Sequence, residues 1–221
     1  KDINVHIDPI LPKKTAIITH AHADHARYGH EEVIATKQTI DIMKIRYGEN
    51  CAKKYTILRY GQKLQIKDYQ ITLYPAGHIL GSAQVLIEKN KHRLVVTGDY
   101  KVGRDETCKN FKHIKCDTLI TEATFGLPIF QHPDPKEEIK KLINSIKKNK
   151  SSCHIVGAYA LGKAQRIMNL LRQNNYSDTI YIHGSLEKLC NYYKSQKINI
   201  GLFEKVVSKD KSFYEGKIVI A

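Results

Sequence analysis

Thr19-His20-Ala21-His22-Ala23-Asp24-His25 follows directly on the apolar run Ala16-Ile17-Ile18. Four metal-ligating side chains fall within six residues, at the place where a buried strand ends. Imidazole and carboxylate suit zinc, and alternation along an extended loop aims His20 and His22 one way and Asp24 and His25 another. A single His-x-His is ordinarily a solvated turn. The full His-x-His-x-Asp-His after a buried strand points instead to a metal centre. Two later positions extend the pattern: His78 in Pro75-Ala76-Gly77-His78 and Asp99 in Thr97-Gly98-Asp99, each just past a strand, where glycine lets backbone approach closely.

Outward from this loop, the first half reads as short strands. Val5–Ile7, 16–19, 56–58, 64–66, 71–74, 84–88 and 94–97 are β-branched or alternating, with Gly and Lys/Asn turns between them. Residues 88–92 form a hairpin turn, 36–46 carry the spacing of a helix, and 119–121 form a further strand leading into Glu122. After Leu127-Pro128 the texture changes to helices over 136–148, 161–174 and 186–193, alternating with strands over 154–157 and 180–183. That alternation indicates βαβ units on a mainly parallel sheet. The boundary is placed there, giving domains 1–127 and 128–221.

Thirty-six basic against 22 acidic residues give +14, with 42% hydrophobic residues for a core. The segment after residue 127 is the more basic for its length, with 16 basic and 8 acidic side chains against 20 and 14 before it. Such a charge suits a polyanionic partner. No apolar run approaches the roughly 20 residues of a membrane span, and the start lacks the apolar core of a signal peptide. Five scattered cysteines without a Cys-x-x-Cys pair fit reduced thiols, so a cytoplasmic location is expected.

The histidine and aspartate order resembles the metallo-β-lactamase superfamily. The resemblance implies an α/β fold, the αββα metallo-β-lactamase sandwich, with a dinuclear site of two divalent ions, Zn²⁺ or Mn²⁺. It assigns His20, His22 and His78 to one metal and Asp24 and His25 to the other, with Asp99 bridging both. Asp24 and Asp99 are the implied catalytic carboxylates, and a hydroxide between the ions is the implied nucleophile.

Further motifs narrow the resemblance. Glu122-Ala123-Thr124-Phe125-Gly126 resembles the acidic motif that opens the inserted βαβ domain of β-CASP nucleases. Tyr159-Ala160-Leu161-Gly162-Lys163 resembles their strand-to-helix phosphate segment, where Gly162, Lys163 and Tyr159 would meet an anion at a helix start. With Ala26-Arg27 and Gly98-Asp99-Tyr100-Lys101, the whole is closest to the bacterial DNA-ligase-associated exonucleases. Residues 128–221 would then be part of a β-CASP-like domain, and a C-terminal truncation is expected. The family's final ligand histidine would fall past Ala221, with His183-Gly184 as a candidate stand-in; 217–221 would be an interrupted strand, and the missing segment would leave an exposed edge on the lactamase sandwich.

The implied function is DNA end processing, with an ATP-dependent DNA ligase and a helicase as partners. RNA processing by the same fold, a catalytically impaired metal- or nucleic-acid-binding remnant, and a small-molecule hydrolase remain alternatives.

Overall fold

The computed structural model describes residues 3–207 and 210–221, which divide into two units between Thr124 and Phe125. The division falls three residues before the boundary drawn at Leu127-Pro128, so that dipeptide belongs to the second unit.

In the first unit, β1 (Val5–Ile7), β2 (Thr15–Ile17), β3 (His30–Ala35) and β4 (Ala52–Ile57) form a parallel sheet in that order. A second sheet runs β5 (Lys63–Ile66), β6 (Tyr69–Pro75), β7 (Ala83–Lys89), β8 (His92–Val96) and β9 (Thr118–Ile120). It is antiparallel until β9, which joins β8 in parallel. The hairpin between β7 and β8 is closed by Asn90 and Lys91, both at positive φ (49° and 67°). That is the two-residue geometry that matches the right-handed twist of paired strands.

The two sheets pack face to face. Ile17 and Ile34 from the first meet Ile71, Leu73, Ala83 and Val85 from the second, with Leu58 among them, all at 2% exposure or less. Each of the isoleucine, leucine and valine side chains contributes about 1.5–3 kcal/mol by leaving water. Because strand side chains alternate, Val33 and Ala35 lie on the opposite face of β3 from Ile34. Helix α1 (Lys37–Tyr47) packs against β3 and β4. Its N-terminus is capped by Thr36, and the Thr36 and Thr39 hydroxyls both donate to the Gly81 carbonyl.

Strand β3 is the element the sequence hid, since His30-Glu31-Glu32 does not read as a strand. Its interior place becomes tolerable because β4 answers the charge: Glu32 pairs with Lys54 at 2.8 Å and accepts from the Thr56 hydroxyl at 2.6 Å.

The second unit is a parallel sheet ordered β10 (His154–Val156), β13 (Ile218–Ile220), β11 (Ile180–Ile182), β12 (Phe203–Lys205). Helices α2 (Pro135–Lys148), α3 (Lys163–Gln173) and α4 (Glu187–Ser195) alternate with these strands. Asp134 caps α2 and Pro135 opens it, turning Ile139, Ile143 and Ile146 inward. Ile218–Ile220 is an interior strand in register with both β10 and β11, and Ile218 and Ile220 are fully buried. In the first unit β9 is an edge strand, all three of whose residues face solvent. Among the described residues, no helix is long and apolar enough to cross a membrane.

Candidate metal centre

The six candidate ligands lie on three loops that leave the C-terminal ends of β2, β6 and β8. The two sheets are tied at this end by the Ala83 N–H, which donates to the Thr19 carbonyl at 2.8 Å. On the β6–β7 turn, the Ser82 hydroxyl accepts from the backbone N–H groups of His78 and Ile79 (3.1 and 3.2 Å), which fixes the turn carrying His78. Two glycines are required by close approach. A Cβ on Gly77 (φ 73°) would run into the Lys101 carbonyl. On Gly98 (φ 56°) it would lie 2.7 Å from the Thr19 side chain, displacing Asp99 from His20.

Within this frame the histidine nitrogens converge. His22 Nδ1 lies 3.1 Å from both His20 Nε2 and His78 Nε2. Asp99 Oδ2 lies 3.7 Å from His20 Nε2 and 3.6 Å from His78 Nε2. The other carboxylate oxygen, Oδ1, turns to His25 Nε2 at 3.3 Å, and Asp24 Oδ2 is 3.8 Å from the same nitrogen. One carboxylate thus faces two ligand sets with two different oxygens. Asp24 is the most exposed of the six, with its side chain 75% open to solvent.

Asp8, which in sequence resembles only the family's opening strand and turn through Asp8-Pro9, with no sign there of a part in the site, orients both sets. It ends β1 in a left-handed conformation (φ 44°), tolerated by aspartate better than by most residues. Its carboxylate accepts from the Thr19 N–H (2.8 Å), the Thr19 hydroxyl (2.6 Å) and His25 Nδ1 (2.8 Å). The Thr19 hydroxyl proton is therefore committed to Asp8. The 3.1 Å contact between Thr19 Oγ1 and His20 Nδ1 must then be donated by the imidazole. This leaves His20 Nε2 as a lone pair facing the ligand centre, while the proton that Asp8 holds on His25 Nδ1 leaves Nε2 as the nitrogen that becomes a lone pair once the imidazolium gives up its charge. Asp8, His20 and His25 also cluster closely enough to suggest a metal triad. With three donors already on Asp8, that cluster is the orienting layer behind the ligands.

The electrostatics agree with a cation at the centre. Burial first, then the neighbouring His25, His78 and His22, holds the His20 imidazole well below its ordinary range. Burial first, then His22, pushes His78 down to about 4. The hydrogen bond from His25 holds Asp99 down to about 2. His25 goes the other way, raised to about 10 by its hydrogen bonds to Asp8 and then Asp99. Near neutral pH the buried pocket therefore presents neutral imidazoles at His20 and His78, an ionised Asp99, and one imidazolium whose charge an ion would replace. Nitrogens and carboxylate oxygens at this spacing are the donor set of a divalent metal site.

The remaining candidates fall as follows. Glu122, at the end of the first unit, is exposed and accepts from the Thr124 N–H at 2.8 Å, yet its charge still acts on His78. In the second unit Lys163 opens α3, with its ammonium 4.9 Å from the centre of the Tyr159 ring, itself 75% exposed. Gly162 departs from the expectation. Its N–H donates to Gln165 Oε1 at 2.8 Å, while Gln165 Nε2 donates to the Ala160 carbonyl. The N–H that the sequence reading aimed at a phosphate is already engaged, and Gly162 serves the turn through its positive φ (87°). His183 caps the short 3₁₀ turn Gly184–Leu186, its Nδ1 2.8 Å from the Ser185 hydroxyl.

No family model matches the chain. It is 30% identical over 200 residues to a "Probable DNA ligase" of Opitutus terrae, a match covering 85% of this chain and 18% of that one. It is 30% identical over 207 residues to an "RNase J-like protein" of Methanocaldococcus jannaschii, covering 81% of this chain and 49% of the relative. It is 31% identical over 173 residues to "Endoribonuclease ysh-1" of Neurospora crassa, covering 71% of this chain and 20% of that one. The chain thus spans half or less of the length of these relatives. A crystal structure of a protein of unknown function from Enterococcus faecalis V583 shares the fold, with a TM-score of 0.56 at 13% identity, over 93% of this chain and 61% of that one. The sheets, the three ligand loops at their common end and these relatives carry one conclusion: the chain belongs to the metallo-β-lactamase superfamily, in its β-CASP nuclease branch.

Proposed function

We propose that the chain carries the metal centre of a nuclease that hydrolyses phosphodiester bonds, acting on DNA in end processing. The observation that carries the reading is Asp99, whose Oδ2 faces His20 and His78 while its Oδ1 faces His25. His20, His22, His78 and Asp99 would hold one divalent ion, and Asp24, His25 and Asp99 a second, with zinc favoured by the imidazole-rich first set. Two such ions supply a nucleophilic water at neutral pH and neutralise phosphoryl charge.

The chain's own residues do the rest. Asp8, through Thr19, keeps the proton of His20 on Nδ1, and directly keeps that of His25 on Nδ1. Asp99 holds the two sets in one orientation. Asp24, open to solvent, can accept a proton from an attacking water. Lys163, stacked on Tyr159, offers a charge to a backbone phosphate.

DNA is favoured by the match to a segment of a chain named as a DNA ligase, which also supports a ligase as working partner; a helicase enters the proposal only through the resemblance to the DNA-ligase-associated exonucleases. A cytoplasmic location is part of the proposal, supported by cysteines that form no disulfide among the described residues. RNA is the second reading, favoured by relatives named as ribonucleases at the same identity.

The test incubates the chain, loaded with Zn²⁺ or Mn²⁺, with end-labelled single-stranded DNA, duplex DNA and RNA of one sequence. Expected is DNA cleavage that His22→Ala abolishes. Faster RNA cleavage selects the second reading, and no cleavage of any polymer by metal-loaded protein refutes both.

A further inference from the structure

Beside the ligand loop lies a surface that metal binding leaves unused. Tyr28 stands three residues after His25 and is 65% exposed. Its ring meets that of Tyr47, the last residue of α1, at 5.7 Å between centroids. The Arg46 guanidinium lies 5.3 Å from the centre of the Tyr47 ring, while its Nη1 donates to the Ala21 carbonyl at 2.6 Å. Ala21 is the residue between the ligands His20 and His22, so Arg46 fastens this aromatic pair to the metal loop itself. The Gly29 N–H donates to the Cys51 carbonyl at 2.8 Å and holds the chain just behind Tyr28.

A packing role does not account for Tyr28, because two-thirds of it faces water. Arg27 and Arg46 are also exposed, and among the described residues no carboxylate pairs with either. An exposed tyrosine ring set against a second one, with the Arg46 guanidinium 5.3 Å from that second ring and an exposed Arg27 next in the chain, fits a ligand that is flat, apolar on its faces and anionic along its edge. That ligand is a nucleotide within a strand.

We propose that Tyr28 and Tyr47, with Arg27 and Arg46, form a stacking shelf for a base of single-stranded nucleic acid next to the metal centre. The proposal rests on the nuclease reading and adds to it a place for the strand. Tyr28 follows the candidate ligand His25 by three residues, at most about 11 Å of backbone, so the base lies a few nucleotides from the cleaved bond at the 3.4 Å rise of a stacked strand. Stacking on tyrosine is sequence-tolerant because every base has a π face, and an arginine adds attraction to base and phosphate together.

The experiment measures binding without turnover. In EDTA, fluorescence anisotropy compares a (dT)₁₀ strand with an abasic decamer of the same charge. The wild-type chain is expected to prefer (dT)₁₀ by about 5- to 100-fold, the range of one stacked base. Tyr28→Ala and Tyr47→Ala should each cut that preference sharply without weakening the abasic strand to the same degree, and Tyr28→Phe should keep it. A preference that survives both alanine variants, or its absence from the wild type, overturns the shelf. A second copy of the chain as occupant would appear in sedimentation as a dimer that Tyr28→Ala dissociates, which also overturns it. The nuclease reading is judged separately, by cleavage with metal: cleavage without a Tyr28-dependent preference keeps the nuclease and removes the shelf.

Discussion

Asp8→Ala should weaken metal binding although Asp8 is not assigned as a ligand. The substitution removes the acceptor of three hydrogen bonds, at 2.6 to 2.8 Å, that fix Thr19 and His25. With it goes the reason for the His20 tautomer, because a freed Thr19 hydroxyl can donate to His20 Nδ1 and move the imidazole proton to Nε2. Losing an orienting partner of this kind costs about 10- to 100-fold in metal affinity, or about 1.4–2.7 kcal/mol. Both ligand sets should suffer, since Asp8 serves one histidine of each. Thr19→Val is the partial perturbation: it cuts the arm to His20 and leaves His25 on Asp8, so only the tighter of two zinc steps should move. The assay is competition for Zn²⁺ against a chromophoric chelator, with circular dichroism to verify that each variant is folded. A folded Asp8→Ala that binds two zinc ions as tightly as wild type would show that backbone geometry alone sets the imidazoles, and would refute the reasoning.

Zinc binding at pH 7 should release about one proton, because His25, raised to about 10, must give up its charge to become a ligand, whereas His20 and His78 are already neutral. The dependence of calorimetric enthalpy on buffer ionisation heat measures this, and a release near zero contradicts it. In the metal-free chain the raised His25 stabilises fully below its unfolded value of about 6.5 and loses that contribution as pH climbs through about 10. The lowered His78 contributes fully above about 6.5 and loses its contribution as pH falls through about 4, with buried His20 acting in the same direction. Thermal melts of the chain in EDTA should therefore show these two terms working against each other on either side of pH 6.5, and a profile that keeps rising above pH 7 counts against the His25–Asp8 pair. Gly98→Ala should lower the melting temperature and metal content together, at a cost of at least about 1–3 kcal/mol for a left-handed site with no room beside Thr19. Gln165→Leu should destabilise the second unit by about 1–3 kcal/mol, the penalty of an unsatisfied buried N–H, while leaving zinc stoichiometry unchanged.

The candidate ligands were legible because metal chemistry confines such groups to a few residue types, and because a strand end packs several of them into one short loop. His20 to His25 could be read from adjacency, and His78 and Asp99 from small residues at later strand ends. The second sheet was legible for a related reason, since alternation and turn residues are local. What escaped was set by neighbours distant in sequence. Glu31 and Glu32 argue against a strand until Lys54 and Thr56 on β4 stand opposite them. Gly162 looks like an anion site until Gln165 is seen to take its N–H.

Asp8 is the most instructive case. Parallel pairing places Ile7 beside Ile17, and the Asp8 N–H donates to the Ile17 carbonyl at 3.0 Å. That register delivers the residue just past β1 to the side of the residues just past β2. A carboxylate there can reach behind the ligands, where a carboxylate within the ligand loop would compete for the ion in front of them. The orienting group of a strand-end metal site therefore belongs on the adjacent parallel strand, one step beyond its end. Asp8-Pro9 is visible in the sequence as the turn that closes the opening strand, but its part behind the ligands follows only from the pairing of β1 with β2.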